Sequence, residues 1–295
     1  MNVLAALAAA ATGIQVGLAI VATRFVVDQL GPASLALLRY TIGFMCLLPP
    51  VLLTARNVRF AARDIPAIAL LGITQFGVLI ALLNYGLRTV PAGRASLIFA
   101  LFPFLTMGIA AALGRERLTL VKTIGVLLTI IGVGFALGDK TIAAGTSSWL
   151  GEAAVFASAF SGALCSVLYR PYLRKYPTLP ISAFAMLASV GFLAILALGE
   201  GFFAALPPRL TMGGWAAVVF IGLSSGIGYY LWLWALTHAS PTRVTAFLSL
   251  SPLTAVMLGA AILGEPISVF VILGLICVGV GLWLAHWPEP TAALT

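Results

Sequence analysis

Ten apolar stretches, most of them about 20 residues long, run along this 295-residue chain: about 3–23, 32–54, 66–88, 92–113, 118–137, 149–170, 180–199, 213–237, 241–263 and 267–286. The gaps between them are short. They hold the Pro, Gly and charged residues that end helices, as in Gly31-Pro32, Arg63-Asp64-Ile65-Pro66, Gly138-Asp139-Lys140 and Pro207-Pro208-Arg209. About 20 apolar residues is the length a helix needs to cross a bilayer. Backbone groups in lipid must bond within their own segment, so each stretch is expected to be helical. The shorter alternating strands of a membrane barrel do not appear. The pattern predicts an all-α integral membrane protein with ten transmembrane helices, and no gap is long enough for a soluble domain.

The chain also repeats at about half its own length. At an offset of 149, Arg94 meets Arg243, Pro103 meets Pro252, Glu116 meets Glu265, Gly125 meets Gly274 and Gly132 meets Gly281. At 148, Pro32 meets Pro180 and Gly43 meets Gly191; at 146, Thr12 meets Ser158, Gln15 meets Ser161 and Arg24 meets Arg170. The copies cover 1–138 and 149–286, leaving 287–295 as a tail. Each copy holds five helices, an odd number, so the second is expected to enter the membrane upside down. Inverted copies can adopt two mirror-related arrangements around a central site, the plan of a secondary transporter working by alternating access.

Composition and charge refine this picture. The chain is 62% hydrophobic and 8% charged, more apolar than a soluble domain can hide. With the N-terminus inside, ten Lys and Arg fall in inner gaps and five in outer ones, which predicts both termini in the cytoplasm of an inner-membrane protein. The net charge of +8 then reflects membrane topology, not nucleic-acid binding. Cys46, Cys165 and Cys277 all lie in apolar runs and read as packing residues. The apolar N-terminus lacks a basic start and reads as the first span, not a cleaved signal.

Two turns carry a motif: LGRERLT from Leu113 to Thr119, and LGEPIS from Leu263 to Ser268, each ahead of a Gly-rich helix. Upstream of them stand Tyr85-Gly86-Leu87 and Trp234-Ala235-Leu236, then a small-polar loop and a span with a central proline. These features resemble the EamA repeat of the drug/metabolite transporter superfamily, over nearly the whole chain. Arg39 resembles the arginine that repeat often carries in span two; its second-copy position is Leu187. The resemblance implies ten helices, export of small metabolites, and a central cavity lined by helices other than five and ten.

Several residues are candidates for that chemistry. Arg39 is the one cation well inside a run, where charge is costly and functional by default; it could hold a substrate carboxylate, or satisfy backbone carbonyls. Gln15 in span one and Ser158 and Ser161 in span six lie on small-polar stripes that suit either tight packing or a wet cavity. Ser225, Tyr229 and Trp232 share a face of span eight, and Gln75 and Tyr85 share one of span three. Phe99 and Ser249 lie within a turn of Pro103 and Pro252, the candidate hinge or gate prolines of spans four and nine. Glu116 and Glu265 read as helix-end carboxylates capping spans five and ten, with proton or cation binding as the alternative.

No acid lies mid-span, which argues against proton-coupled export of cationic drugs through one membrane carboxylate. Nothing resembles a catalytic triad, metal cluster, phosphate loop or cofactor site, so neither an enzyme nor an ATPase subunit is expected. The resulting expectation is a secondary exporter of small metabolites, amino acids including aromatic ones leading, with a small-molecule substrate and the lipid bilayer as its partners. Multidrug efflux is the alternative. An intramembrane lipid enzyme, a receptor or a channel fits less well.

Overall fold

A computed structural model describes residues 3–54, 58–114, 120–138, 149–205, 208–239 and 241–285. The described residues form helices and connecting turns. Eight helical passages are long and apolar enough to cross a membrane: Val3–Gln29, Pro32–Leu53, Ile65–Leu87, Ala92–Ala112, Trp149–Lys175, Thr178–Gly199, Met212–His238 and Arg243–Leu263. Two apolar helical stretches are shorter, Thr123–Phe135 and Val269–Gly281.

The helices are α1 (Val3–Val26), α2 (Pro32–Thr54), α3 (Ile65–Gly72), α4 (Leu79–Leu87), α5 (Ala92–Phe99), α6 (Phe102–Ala112) and α7 (Leu120–Gly138). After them come α8 (Trp149–Leu168), α9 (Arg170–Lys175), α10 (Thr178–Gly199), α11 (Met212–His238), α12 (Pro241–Thr245), α13 (Leu250–Leu263) and α14 (Val269–Ala285). Several passages are not continuous α-helix; three of these breaks bear on the site. A π-turn over Ile73–Val78 joins α3 to α4, α5 and α6 are offset at Ala100–Leu101, and a 3₁₀ turn over Ala246–Ser249 separates α12 from α13.

Contacts cross between the two copies throughout. Helix α1 packs on α11 and α13, α2 on α10 and α11, and α4 on α8. Helices α7 and α14 pack chiefly on one another. Their crossing is built on glycines related by the repeat. A Cβ at Gly132 would stand 2.8 Å from the Gly274 carbonyl, and one at Gly281 would stand 2.6 Å from the Gly125 carbonyl. Each glycine thus meets the carbonyl of the other's partner, and the missing side chains let the backbones touch.

The ends of the bundle differ. One end is closed by carboxylates. Glu265 accepts from the Ala92 and Gly93 amides at 2.8 and 3.1 Å, and Glu200 accepts from the Ala33 and Ser34 amides at 2.9 and 2.8 Å. Arg94 pairs with Glu152 at 2.5 Å. At the opposite end Asp64 binds the Lys175 ammonium and the Tyr176 hydroxyl. The Lys175 bond, then the Tyr176 bond, hold the Asp64 carboxyl below the usual carboxylate range.

Two measurements check this account. Gly281→Val forces α7 and α14 apart and should destabilise the protein by about 1–3 kcal/mol, read as a lower thermal midpoint in detergent. A carboxyl with a lowered folded-state pKa adds stability above its unfolded pKa and loses that contribution as pH falls through the lowered value. Asp64→Asn should therefore melt earlier than the parent at neutral pH, and the difference should begin to shrink only below about pH 4 and vanish once the pH falls through the lowered value.

Candidate functional site

A cavity of about 690 Å³, its open part included, lies between α1, α2, the π-turn and α4, the α5–α6 junction, and α11. Seven of the residues singled out from the sequence line it: Gln15, Arg39, Gln75, Phe99, Ser225, Tyr229 and Trp232.

Arg39 sets its electrostatics. The side chain is 7% exposed. Its Nε donates to Ser225 Oγ at 2.7 Å, which fixes the guanidinium against α11, and its carbon lies 5.4 Å from the Tyr40 ring centroid. No Asp or Glu lines the cavity, and no carboxylate contacts Arg39 among the described residues. A desolvated guanidinium is strongly favoured by an opposite charge, so an anionic group would suit this position.

Six aromatic residues contribute to the walls. Tyr40 meets Phe76 at 4.7 Å between ring centroids, and Phe76 meets Tyr229 edge-on at 4.2 Å. Phe102 lies 5.4 Å from Phe99 and 6.1 Å from Trp232. Neutral polar groups are few. Gln15 donates from Nε2 to Ser224 Oγ at 3.3 Å. Gln75 is half-buried, and the Tyr229 hydroxyl is buried beside Tyr169 without a hydrogen bond of good geometry. Such donors and acceptors can orient a polar solute whose body stacks on rings.

The remaining candidates fall elsewhere. Tyr85 is 47% exposed on the outside of the bundle. The π-turn explains why Gln75 and Tyr85 do not share a face: it winds more residues per turn and rotates everything after it out of α-helical register. Ser158 is buried in packing, and Ser161 donates to the Ala157 carbonyl at 2.8 Å within its own helix, so neither reaches the cavity. The Ser249 side chain and all of Glu116 lie outside the described residues. Glu265 serves a helix start, but that of span four; span ten starts instead on Ser268, whose Oγ accepts from the Val271 amide at 3.2 Å. Gly264, at a φ of +66°, turns the chain there.

Pro103 and Pro252 occupy matching places. Each sits within the first turns of a helix that restarts after an interruption, at Ala100–Leu101 and at Ala246–Ser249. The sequence reading missed Tyr40, Phe76 and Phe102. Tyr40 and Phe76 directly follow Arg39 and Gln75, and Phe102 precedes Pro103, so adjacency to candidates was the one available signal.

A multi-pass helical bundle around a largely apolar cavity that carries one charge fits the class of membrane transporters. The profile of the EamA-like transporter family matches residues 3–138 and again 149–287. The chain belongs to that family, and it is a transporter, not an enzyme. It is 34% identical over 249 residues to a probable terminal-alkyne amino-acid exporter of Streptantibioticus cattleyicolor, covering 83% of this chain and 80% of that protein. It is 26% identical to an uncharacterized transporter of Archaeoglobus fulgidus, covering 91% of this chain and 93% of that one. A crystal structure superposes with a TM-score of 0.70 at 21% identity over 94% of this chain and 98% of its own, a likeness of fold.

Glu265 provides a direct test of how the halves are joined. Glu265→Ala leaves two amides at the start of α5 without acceptors and should cost about 1–3 kcal/mol, measured as a lower melting midpoint. Glu265→Gln keeps one acceptor oxygen and should fall between parent and Ala.

Proposed function

We propose that this transporter exports small amino acids, aromatic or otherwise unsaturated ones included, from the cytoplasm across the inner membrane. Arg39 carries the reading. Among the described residues it is the one charge on the cavity wall, its Nε is held by Ser225, and no acid lines the site. A guanidinium so placed suits the substrate's carboxylate. Gln15, Gln75 and Tyr229 supply neutral acceptors for an ammonium group, and the Tyr40, Phe76, Phe102 and Trp232 rings suit a flat side chain. The amino-acid exporter among the relatives supports the same substrate class.

In this reading ten helices form two inverted five-helix copies with both termini in the cytoplasm, so the Asp64 end faces inward. The family profile's two matches and the reciprocal glycine contacts of α7 and α14 support it. Alternating access uses the interruptions beside Pro103 and Pro252 as matched bending points, one in each copy. Broken helices at mid-membrane are the usual means by which transporters build and move such sites. With no carboxylate on the cavity wall, transport is facilitated export, or is coupled without a membrane acid. Efflux of lipophilic cations is disfavoured by the same geometry, since a cation would meet Arg39 unscreened.

Counterflow into liposomes that hold only this protein tests the reading. Amino acids with a free carboxylate should be carried and their methyl esters should not. Arg39→Gln should lower flux at least about tenfold, ~1.4 kcal/mol or more, at unchanged folding, with Arg39→Lys intermediate. Collapsing the proton gradient should leave flux undiminished. Equal transport of acids and esters, or preferred transport of lipophilic cations, would refute the assignment.

A further inference from the structure

The two copies differ most sharply in how they treat their arginines. At the Glu265 end, Arg24 is paired with Asp28 at 3.1 Å and Arg94 with Glu152. The repeat carries Arg24 onto Arg170, Asp28 onto Arg174 and Arg94 onto Arg243. The acid of the first copy has thus become a third arginine in the second.

Those three arginines meet. With His238, Thr237 and Leu236 they line a crevice of about 660 Å³, open part included, where α9 passes the end of α11 and the start of α12. Among the described residues no Asp or Glu lines it, and no carboxylate pairs with any of the three. The nearby acid, Asp64, is engaged by Lys175 and Tyr176. Three guanidiniums held together repel one another unless an anion sits among them. Leu173 and Leu236 form the apolar part of the wall, and Trp234 stacks on His238 with ring centroids 4.3 Å apart. A tryptophan in such a place marks headgroup depth, where lipid phosphate is the most abundant anion.

We infer that this crevice is a phosphate-type oxyanion site, with the headgroup of an acidic phospholipid as its occupant. Arginine forks bind phosphate oxygens bidentately, and basic pockets between helix ends are suited to anionic headgroups. The inference is independent of the substrate carried by the central cavity.

Thermal midpoints of the purified protein in neutral detergent test it, titrating short-chain phosphatidylglycerol, short-chain phosphatidylcholine and inorganic phosphate separately. Phosphatidylglycerol should raise the midpoint saturably and phosphatidylcholine should not. Arg174→Asp restores the pairing seen at Arg24 and Asp28, so it should fold normally and weaken the apparent lipid affinity at least about tenfold. Arg170→Gln combined with Arg243→Gln should do likewise. Arg59→Gln with Arg63→Gln, at the same end but outside the crevice, should respond as the parent does. An equal shift with inorganic phosphate supports the oxyanion site and makes a free anion its occupant. The inference is overturned if the parent shows no anion response, if Arg174→Asp responds undiminished, or if the Arg59 and Arg63 variant loses the response equally.

Discussion

Lipid offers the backbone no hydrogen-bond partner, and this bundle contains helix starts and breaks that must still be satisfied. The solution at one end is a set of carboxylates reaching across from the second copy. Glu265 takes the first amides of α5, and Glu200 takes those of α2 together with the Ser34 hydroxyl. Each joins a negative side chain to the positive end of a helix, where charge and hydrogen bond act together. These contacts set where α2 and α5 begin. Arg39 lies on α2 little more than a turn beyond Ser34, and Phe99 ends α5, so the cavity inherits its geometry from them.

Within the cavity, one asymmetry decides the chemistry. The repeat would allow an arginine in both copies, but Leu187 occupies the second position. A single guanidinium results, steadied by Ser225 on α11, with aromatic rings around it. The glycines near this site serve the same end. A Cβ at Gly228 would stand 2.7 Å from the Gln15 amide oxygen, so glycine there leaves room for the Gln15 side chain to lie along the wall. A second asymmetry governs the ends of the bundle. Arginines paired with acids in one copy have counterparts in the other that line a single crevice, with no carboxylate partner among the described residues.

Much of this was legible in the order of residues. Run length foretold membrane helices, and the paired prolines marked the spans that prove to be interrupted. The costly mid-span charge of Arg39 pointed to the cavity, as did the face formed by Ser225, Tyr229 and Trp232. What failed did so for local reasons. Gln75 and Tyr85 were read on a 3.6-residue period that the π-turn at Ile73–Val78 interrupts. Ser158 and Ser161 suited packing and cavity equally by spacing, and only their neighbours distinguish the two. Glu265 was assigned to the nearest helix in sequence, while its partner is 172 and 173 residues away.

By itself, then, the sequence determined the class of protein: how many apolar runs there are, that they repeat, that one cation stands well inside a run, and that no acid stands mid-span beside it. These are properties of composition and period, and lipid enforces them segment by segment. The tertiary structure decided which helix each carboxylate serves, which aromatic rings surround Arg39, and that Arg170, Arg174 and Arg243 converge. Those outcomes depend on distances between segments far apart in the chain, and no local pattern of residues encodes such distances.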